Sequence, residues 1–375
     1  MVRPVAIAGY AWSTPLGNGI DQVWSALLQG AGGLRPVPSP HQLRNLDAGL
    51  AAGLDYTRTS PADRLKYLTR QGFSDVLEHA GLDVATSSKR WAVVLGTSLG
   101  ASLDSDQGLF AWAEQSCANS GLPAPVVLST TCSSGIDAIS VGRDLVQDGL
   151  ADVCVCGGVD VLTEAKRLGH SVLGTMSPRT VRPFDARADG MLVSEGYGLV
   201  VLESDHHLRS RGGAVFGEVV GCGSSNDAAG LTELDPSGSH VAQAIDLALR
   251  EAGAEPSDVA VVSAHATGTT INDRAEAHAL GLAFGDIEPG PMVAATKGAL
   301  GHGLGATGAV EMIVTVQMLR TRRVPPVLGL AEPRTELGLG VSPKAQVIES
   351  GKNIGVTVSL GFGGFNTCVA LRVTS

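Results

Sequence analysis

The feature that most constrains this chain is a unit that occurs twice: an apolar run, a turn of small residues, then a helical pattern. In the first copy the run Pro125 to Leu128 leads into Ser129-Thr130-Thr131-Cys132-Ser133-Ser134-Gly135, and a helix follows with Ile136, Ile139 and Leu145 as apolar anchors. In the second half, Val259 to His265 echoes the run Trp91 to Gly96. There the Gly-rich turn and helix of Lys297 to Val316 echo the Cys132 unit. Two such halves predict a layered α/β fold with both turn regions at one shared crevice. Coarse self-similarity of this kind is also what any alternating α/β chain would display.

The remaining elements follow the same alternation. Apolar runs predict strands at Val5 to Gly9, Trp91 to Gly96, Asp152 to Cys156 and Gly198 to Glu203. Helical spacing covers Asp21 to Leu28, Leu65 to Ala80 and Asp104 to Ser116. Pro36 to Ser60 is rich in turn formers and reads as an irregular excursion, and Asp205 to Gly213 as the junction between halves. The division falls at residues 1–207 and 208–375.

With 375 residues, 49 of them Gly, the chain can form tightly packed α/β layers in one large or two medium domains. Its net charge of −10 argues against a non-specific nucleic-acid binder. No apolar run is long enough to span a membrane. The early run Val5 to Trp12 reads as a buried strand rather than a signal peptide. The six cysteines fit neither a zinc site nor a disulfide framework, which predicts a reduced, cytoplasmic protein and no metal.

Cys132 stands where a strand hands over to a helix. Unpaired N–H groups and the partial positive charge of a helix start favour thiolate, the better nucleophile. A buried structural cysteine is the plainer alternative. Two histidines are placed in similar settings. His265 ends an apolar strand and opens His265-Ala266-Thr267-Gly268-Thr269, while His302 lies in the Gly-rich turn Lys297 to Gly308. Small neighbours leave room for a ligand and supply hydroxyl and N–H donors. Gly303-Leu304-Gly305-Ala306-Thr307-Gly308 also satisfies a dinucleotide-binding pattern, yet no strand runs directly into it and no acid lies at the expected distance.

Taken in order, Thr131 to Gly135, Arg182-Pro183-Phe184-Asp185 to Asp189-Gly190, Ser194-Glu195-Gly196, His265 to Thr269, Lys297 to Gly305 and Gly361-Phe362-Gly363-Gly364-Phe365-Asn366 resemble the elongating, Cys-His-His type of β-ketoacyl-acyl-carrier-protein synthase. The likeness covers nearly the whole chain. It implies a thiolase-like five-layer αβαβα fold of two similar halves, as a homodimer or as a heterodimer with a second ketosynthase-like chain. It implies no bound cofactor, since substrates arrive on the phosphopantetheine of an acyl carrier protein.

The resemblance also implies roles for individual residues. Cys132 takes the acyl group, and His265 and His302 hold the malonyl thioester carbonyl. Lys297 and Glu311 form a charged pair that positions the site. The N–H groups of Cys132 and Phe362 form an oxyanion hole, and Thr267 and Thr269 contact the pantetheine arm. Leu99 and Phe365 are expected to bound the acyl pocket. For carrier docking, Arg58, Arg64, Lys66 and Arg70 read as one exposed basic face, with Arg209 and Arg211 as another.

The chain departs from the family in several places. Only Asp104 to Pro125 fits between Gly100 and the Cys132 strand, where the family carries a longer stretch that lines the acyl tunnel and the dimer contact. Ala266, Leu360 and Phe365 stand where the family has Gly, Phe and Thr. These changes bear on substrate choice and suggest a specialised fatty-acid or polyketide/polyene-type pathway. A non-catalytic, chain-length-factor-like subunit is the alternative, although such relatives usually lack the nucleophilic cysteine that this chain keeps as Cys132. A Cys-His hydrolase is another, but it would not need both histidines.

Overall fold

The computed structural model describes residues 3–85, 90–106, 108–349 and 351–373. Ten strands form one continuous hydrogen-bonded sheet. In chain order they are β1 (Val5–Ser13), β2 (Trp91–Gly96), β3 (Val126–Leu128), β4 (Val153–Asp160), β5 (Gly196–Glu203), β6 (Gly217–Asn226), β7 (Val259–Ser263), β8 (Met292–Ala294), β9 (Ile354–Gly361) and β10 (Phe365–Arg372). Their spatial order is β8-β7-β9-β10-β6-β1-β5-β4-β2-β3. The first five strands and the last five thus follow the same order, mirrored about the β1–β6 junction. That junction is a short antiparallel pairing of Val5 with Val219, Ala6 with Glu218 and Ile7 with Gly217. The repeat in the sequence is therefore a repeat of topology.

Helices α1 (Pro61–Ala80), α2 (Ser134–Gln147), α3 (Glu164–Val172), α4 (Ser239–Ala252), α5 (Thr270–Phe284) and α6 (Thr307–Thr321) supply most of the other layers. Between the two wings of the sheet lie α2 and α6, which pack on each other and on strands of both halves. Outside the first wing is α1, and outside the second are α4 and α5. This gives the sequence α, β, α, β, α. Strand alternation feeds separate cores on the two faces of each wing. Cys154 and Cys156 on β4 join the central core with Ile136, Ile139 and Met312, whereas Val153 and Val155 join the outer core with Leu65 and Phe73. Helix α6 is buried through Val310, Met312, Ile313, Val314, Val316 and Met318, as expected of a helix enclosed between layers.

Element ends differ from the sequence reading in several places. Strand β1 runs on to Ser13, and β4 to Asp160. The helix expected over Asp104 to Ser116 forms over Ala111–Asn119, because the Ser- and Asp-rich residues before it fold as turns (residue 107 lies outside the described residues). Pro36 to Ser60 is mostly irregular but includes Asp47–Gly49, paired with Leu34–Pro36. Asp205–Arg211 is a short helix stopped by Gly212 in the left-handed conformation. Among the described residues, no helix is long and apolar enough to cross a membrane.

Glycine lets the two repeated turns meet. A Cβ on Gly135, at the start of α2, would lie 2.6 Å from the Gly305 carbonyl oxygen. A Cβ on Gly305 would lie 2.4 Å from the backbone nitrogen of Ser98. The Gly-x-Gly pattern at residues 303–308 is thus explained by backbone packing between halves rather than by a dinucleotide.

Candidate active site

Cys132 lies in a single 3₁₀ turn, Thr131–Ser133, between β3 and α2. Thr131 adopts a φ of 55°, uncommon for a β-branched residue. Polar groups hold the turn in place. Asp137 on α2 accepts from Ser133 Oγ at 2.7 Å and Thr367 Oγ1 at 2.5 Å, and Thr131 Oγ1 donates to the Phe362 carbonyl at 3.0 Å. The result is a 6 % exposed thiol at the floor of a cavity of about 250 Å³.

Both histidines reach the same cavity. His302 Nε2 is 3.1 Å from Cys132 Sγ, and the two imidazole centroids are 5.2 Å apart, edge to face. The Leu304 N–H donates to His302 Nδ1 at 3.1 Å, so the ring proton resides on Nε2, facing the sulfur. His265 Nδ1 faces the Lys297 ammonium at 3.4 Å, which likewise places its proton on Nε2. Burial and the Lys297 charge hold both imidazoles well below their usual pKa, so both are neutral Nε2–H donors at pH 7.

The support around these residues explains the other motifs. Lys297 Nζ bonds the His265 carbonyl and meets Glu311 Oε1 at 2.5 Å, both side chains being 1 % exposed. Burial pushes Glu311 up to about 7 while the Lys297 charge pulls it back. Glu276 on α5 accepts from the backbone N–H groups of His265 at 2.6 Å and Ala266 at 2.7 Å. That grip holds Ala266 at a φ of 38°. The segment after Asp189 connects the two histidine loops. Gly190 N–H donates to the Gly268 carbonyl at 2.9 Å, His302 N–H to the Leu192 carbonyl at 2.7 Å, and Ser194 N–H to the His302 carbonyl at 2.9 Å.

The thiol departs from the sequence expectation. Burial dominates and pushes Cys132 up to about 12, with the Lys297 charge and the Phe362 backbone N–H acting in the opposite sense. The resting group is therefore a thiol, and the helix start and the His302 Nε2–H serve the thiolate only as it forms.

Phe362, Thr267 and Thr269 line the same cavity, and the two threonine hydroxyls lie 2.9 Å apart. Leu99 and Phe365 do not line it. Leu99, at a φ of 63°, faces a separate small cavity with Leu65, Leu109 and Trp112. Phe365 opens β10 and is 37 % exposed, because strand alternation turns the neighbouring Asn366 inward instead.

The basic face also needs correction. Arg64 is 1 % exposed and pairs with Glu195 at 3.2 Å, so it is a buried tie to the Ser194-Glu195-Gly196 segment. Arg58 and Arg70 are exposed and Lys66 half-buried. Arg209 and Arg211 pair with Asp205 and Glu203. Asp273, Glu276 and His170 were missed by sequence reasoning. The acidic pair at helical spacing just after the His265 motif was the available signal for the first two, and His170 had none.

Cys132 Sγ and ring nitrogens of His265 and His302 lie within 4.8 Å of one another, close enough to hold a metal ion. Two imidazole donors converging beside a thiol, on a doubled α/β fold, define an enzyme site that pairs a nucleophilic sulfur with stabilisation of developing negative charge. Residues 2–207 match the beta-ketoacyl synthase N-terminal domain, and residues 216–331 match the C-terminal domain. The chain belongs to the beta-ketoacyl synthase family.

The chain is 30 % identical to 3-oxoacyl-[acyl-carrier-protein] synthase 2 of Vibrio cholerae serotype O1, over 97 % of each chain. It is also 30 % identical to a polyketide beta-ketoacyl synthase 1 of Streptomyces cyaneus, over 99 % of this chain and 98 % of that one. The latter alignment runs to 415 positions against the 375 residues here, so that relative carries insertions. Among solved structures, the ishigamide ketosynthase/chain length factor superposes with a TM-score of 0.90 at 27 % identity, each chain fully covered. A type II polyketide acyl-carrier protein in complex with its ketosynthase, bound to a hexaketide, has a TM-score of 0.91 at 22 % identity, again fully covered, and shows the shared fold.

Proposed function

We propose that this protein condenses a malonyl unit with an acyl group held on Cys132, both delivered by an acyl carrier protein. The observation that carries the reading is the pair of neutral Nε2–H donors beside one buried thiol. The Cys132 thiol attacks the incoming acyl thioester, its proton passes to the departing carrier sulfur, which leaves as the thiol, and acyl-Cys132 forms. A malonyl thioester then enters past Thr267 and Thr269. As its C–C bond to the carboxylate breaks and CO₂ departs, negative charge collects on the thioester oxygen. His265 and His302 donate to that oxygen. The enolate carbon attacks the acyl-Cys132 carbonyl, whose oxyanion accepts from the N–H groups of Cys132 and Phe362. Collapse breaks the C–S bond and returns the Cys132 sulfur as a thiolate, which takes one proton from solvent to regain the resting thiol, leaving a product two carbons longer on the carrier. Lys297 and Glu311 touch no reacting atom and position His265. No step needs a metal.

The pathway is fatty-acid or polyketide synthesis, in the cytoplasm, with the halves dividing at 1–207 and 208–375. Pairing with a second ketosynthase-like chain, identical or not, would cover the outer edge of β3. Val126 there is 48 % exposed, and Leu103 and Phe110 on the preceding segment are comparably bare. Retention of Cys132, His265 and His302 favours an active subunit over a silent one. The test is reconstitution with malonyl and acyl carriers, reading the 3-oxoacyl product by mass. Product from the wild type and none from Cys132→Ala supports the reading, and no product with any carrier or partner chain refutes it.

A further inference from the structure

Another buried ion pair stands behind the His302 turn. Asp160, the last residue of β4, and Lys166 on α3 are both buried and meet directly. Lys166 Nζ also donates to the Gly100 carbonyl at 2.7 Å and the Val161 carbonyl at 3.1 Å. The Asp160 carboxylate accepts backbone N–H groups as well, from Val161 at 2.9 Å on Oδ1, and from Ser98 at 2.7 Å and Gly305 at 2.9 Å together on Oδ2. The turn after β2, the end of β4 and the His302 loop are distant in sequence, and all of them end on this one side chain.

Gly305 and Ser98 lie in backbone contact, and their N–H groups converge on one oxygen. An ionised carboxylate has lone pairs enough for both and for Lys166; an amide in its place would turn its own N–H groups toward one or the other. Buried donors left without an acceptor are costly. The residue before Gly305, Leu304, holds a φ of 51°, a left-handed conformation that a leucine keeps only where its surroundings impose it. The Leu304 N–H is the one that donates to His302 Nδ1 at 3.1 Å and so leaves the ring proton on Nε2, facing Cys132. Neither Asp160 nor Lys166 lines the Cys132 cavity. We propose that Asp160 is a positioning residue for the condensation: by anchoring the Gly305 N–H it fixes the Leu304 turn, and with it the tautomer and aim of His302. This rests on the ketosynthase reading and adds to it a residue that touches no reacting atom.

The test measures CO₂ release from a malonyl carrier and acylation of Cys132 by an octanoyl thioester on one preparation, so that their ratio is insensitive to a misfolded fraction. Asp160→Asn removes the anchor but strands Lys166, so Asp160→Asn combined with Lys166→Met is the second variant. A misaimed group costs about tenfold to a hundredfold, and the ratio of CO₂ release to acylation should fall by that factor in both variants. The fall should vanish in a His302→Ala background, where no ring is left to aim, whereas a general structural defect would persist there. Imidazole nitrogen NMR of isotope-labelled histidine reads the tautomer without turnover: His302 carries its proton on Nε2 in the wild type and in part on Nδ1 in the variants. An unchanged ratio, an equal fall with and without His302, or an unchanged tautomer overturns the role of Asp160 alone. A wild type that neither acylates Cys132 nor releases CO₂ overturns the ketosynthase reading, and the tautomer then decides on Asp160 by itself.

Discussion

Replacing His302 with alanine separates the two jobs its Nε2–H performs. The ring is 1 % exposed, neutral, and held by the Leu304 N–H on one nitrogen, so its other nitrogen is a fixed donor rather than a base. Loss of one such donor at a developing oxyanion costs about 10²–10³ in rate, or about 2.7–4 kcal/mol. Release of CO₂ from a malonyl carrier should fall by that factor. Acylation of Cys132 by an octanoyl thioester, where Nε2 only supports the sulfur at 3.1 Å, should fall by no more than about tenfold. His302→Gln, which retains an N–H, should recover part of the decarboxylation. Equal losses in both half-reactions would make His302 the base that deprotonates Cys132, and the donor assignment would be wrong. Unchanged CO₂ release would remove it from the mechanism.

Glu311→Ala strands the buried Lys297 ammonium and should lower stability by about 3–5 kcal/mol in urea unfolding; a loss under 1 kcal/mol would mean that water reaches the pair. Because burial raises the Cys132 thiol, its alkylation by iodoacetamide should climb steadily from pH 7 to 10; a plateau below pH 7 would reveal a resting thiolate. Peptide mapping should find Cys132 labelled before Cys154 or Cys222, since it alone of the three lines the cavity. His170 has a folded pKa of about 4, below its ordinary 6.5, so its neutral form contributes stability that is present above pH 6.5 and lost as pH falls toward 4. His170→Phe should therefore flatten the acid limb of the stability curve across that window; identical limbs would show that the ring protonates freely in the native state.

The sequence made Cys132, His265 and His302 legible for a physical reason. Each lies at the end of an apolar run among small residues, and that local pattern survives into the structure as a strand end facing a cavity. The doubled topology was legible for the same reason. What was lost depended on distant partners. Arg64 looks like an exposed helix charge until Glu195, far along the chain, folds against it. His170 sits in an unremarkable polar helix, and only the fold brings Phe362 to it. Leu99 and Phe365 were carried over by resemblance, but a left-handed turn and strand alternation point them elsewhere. The helix start that favours a Cys132 thiolate is visible in the sequence, whereas the burial that pushes the thiol the other way arises only when the two halves close over it.

The most direct test of the account is the fate of a radiolabelled acyl carrier incubated with the protein without malonyl carrier. The account predicts one acyl group per chain, mapped by peptide mass to Cys132, and discharged as a 3-oxoacyl carrier when malonyl carrier is added. Label on another residue, or acyl-Cys132 that malonyl carrier fails to discharge while CO₂ is released, would contradict it.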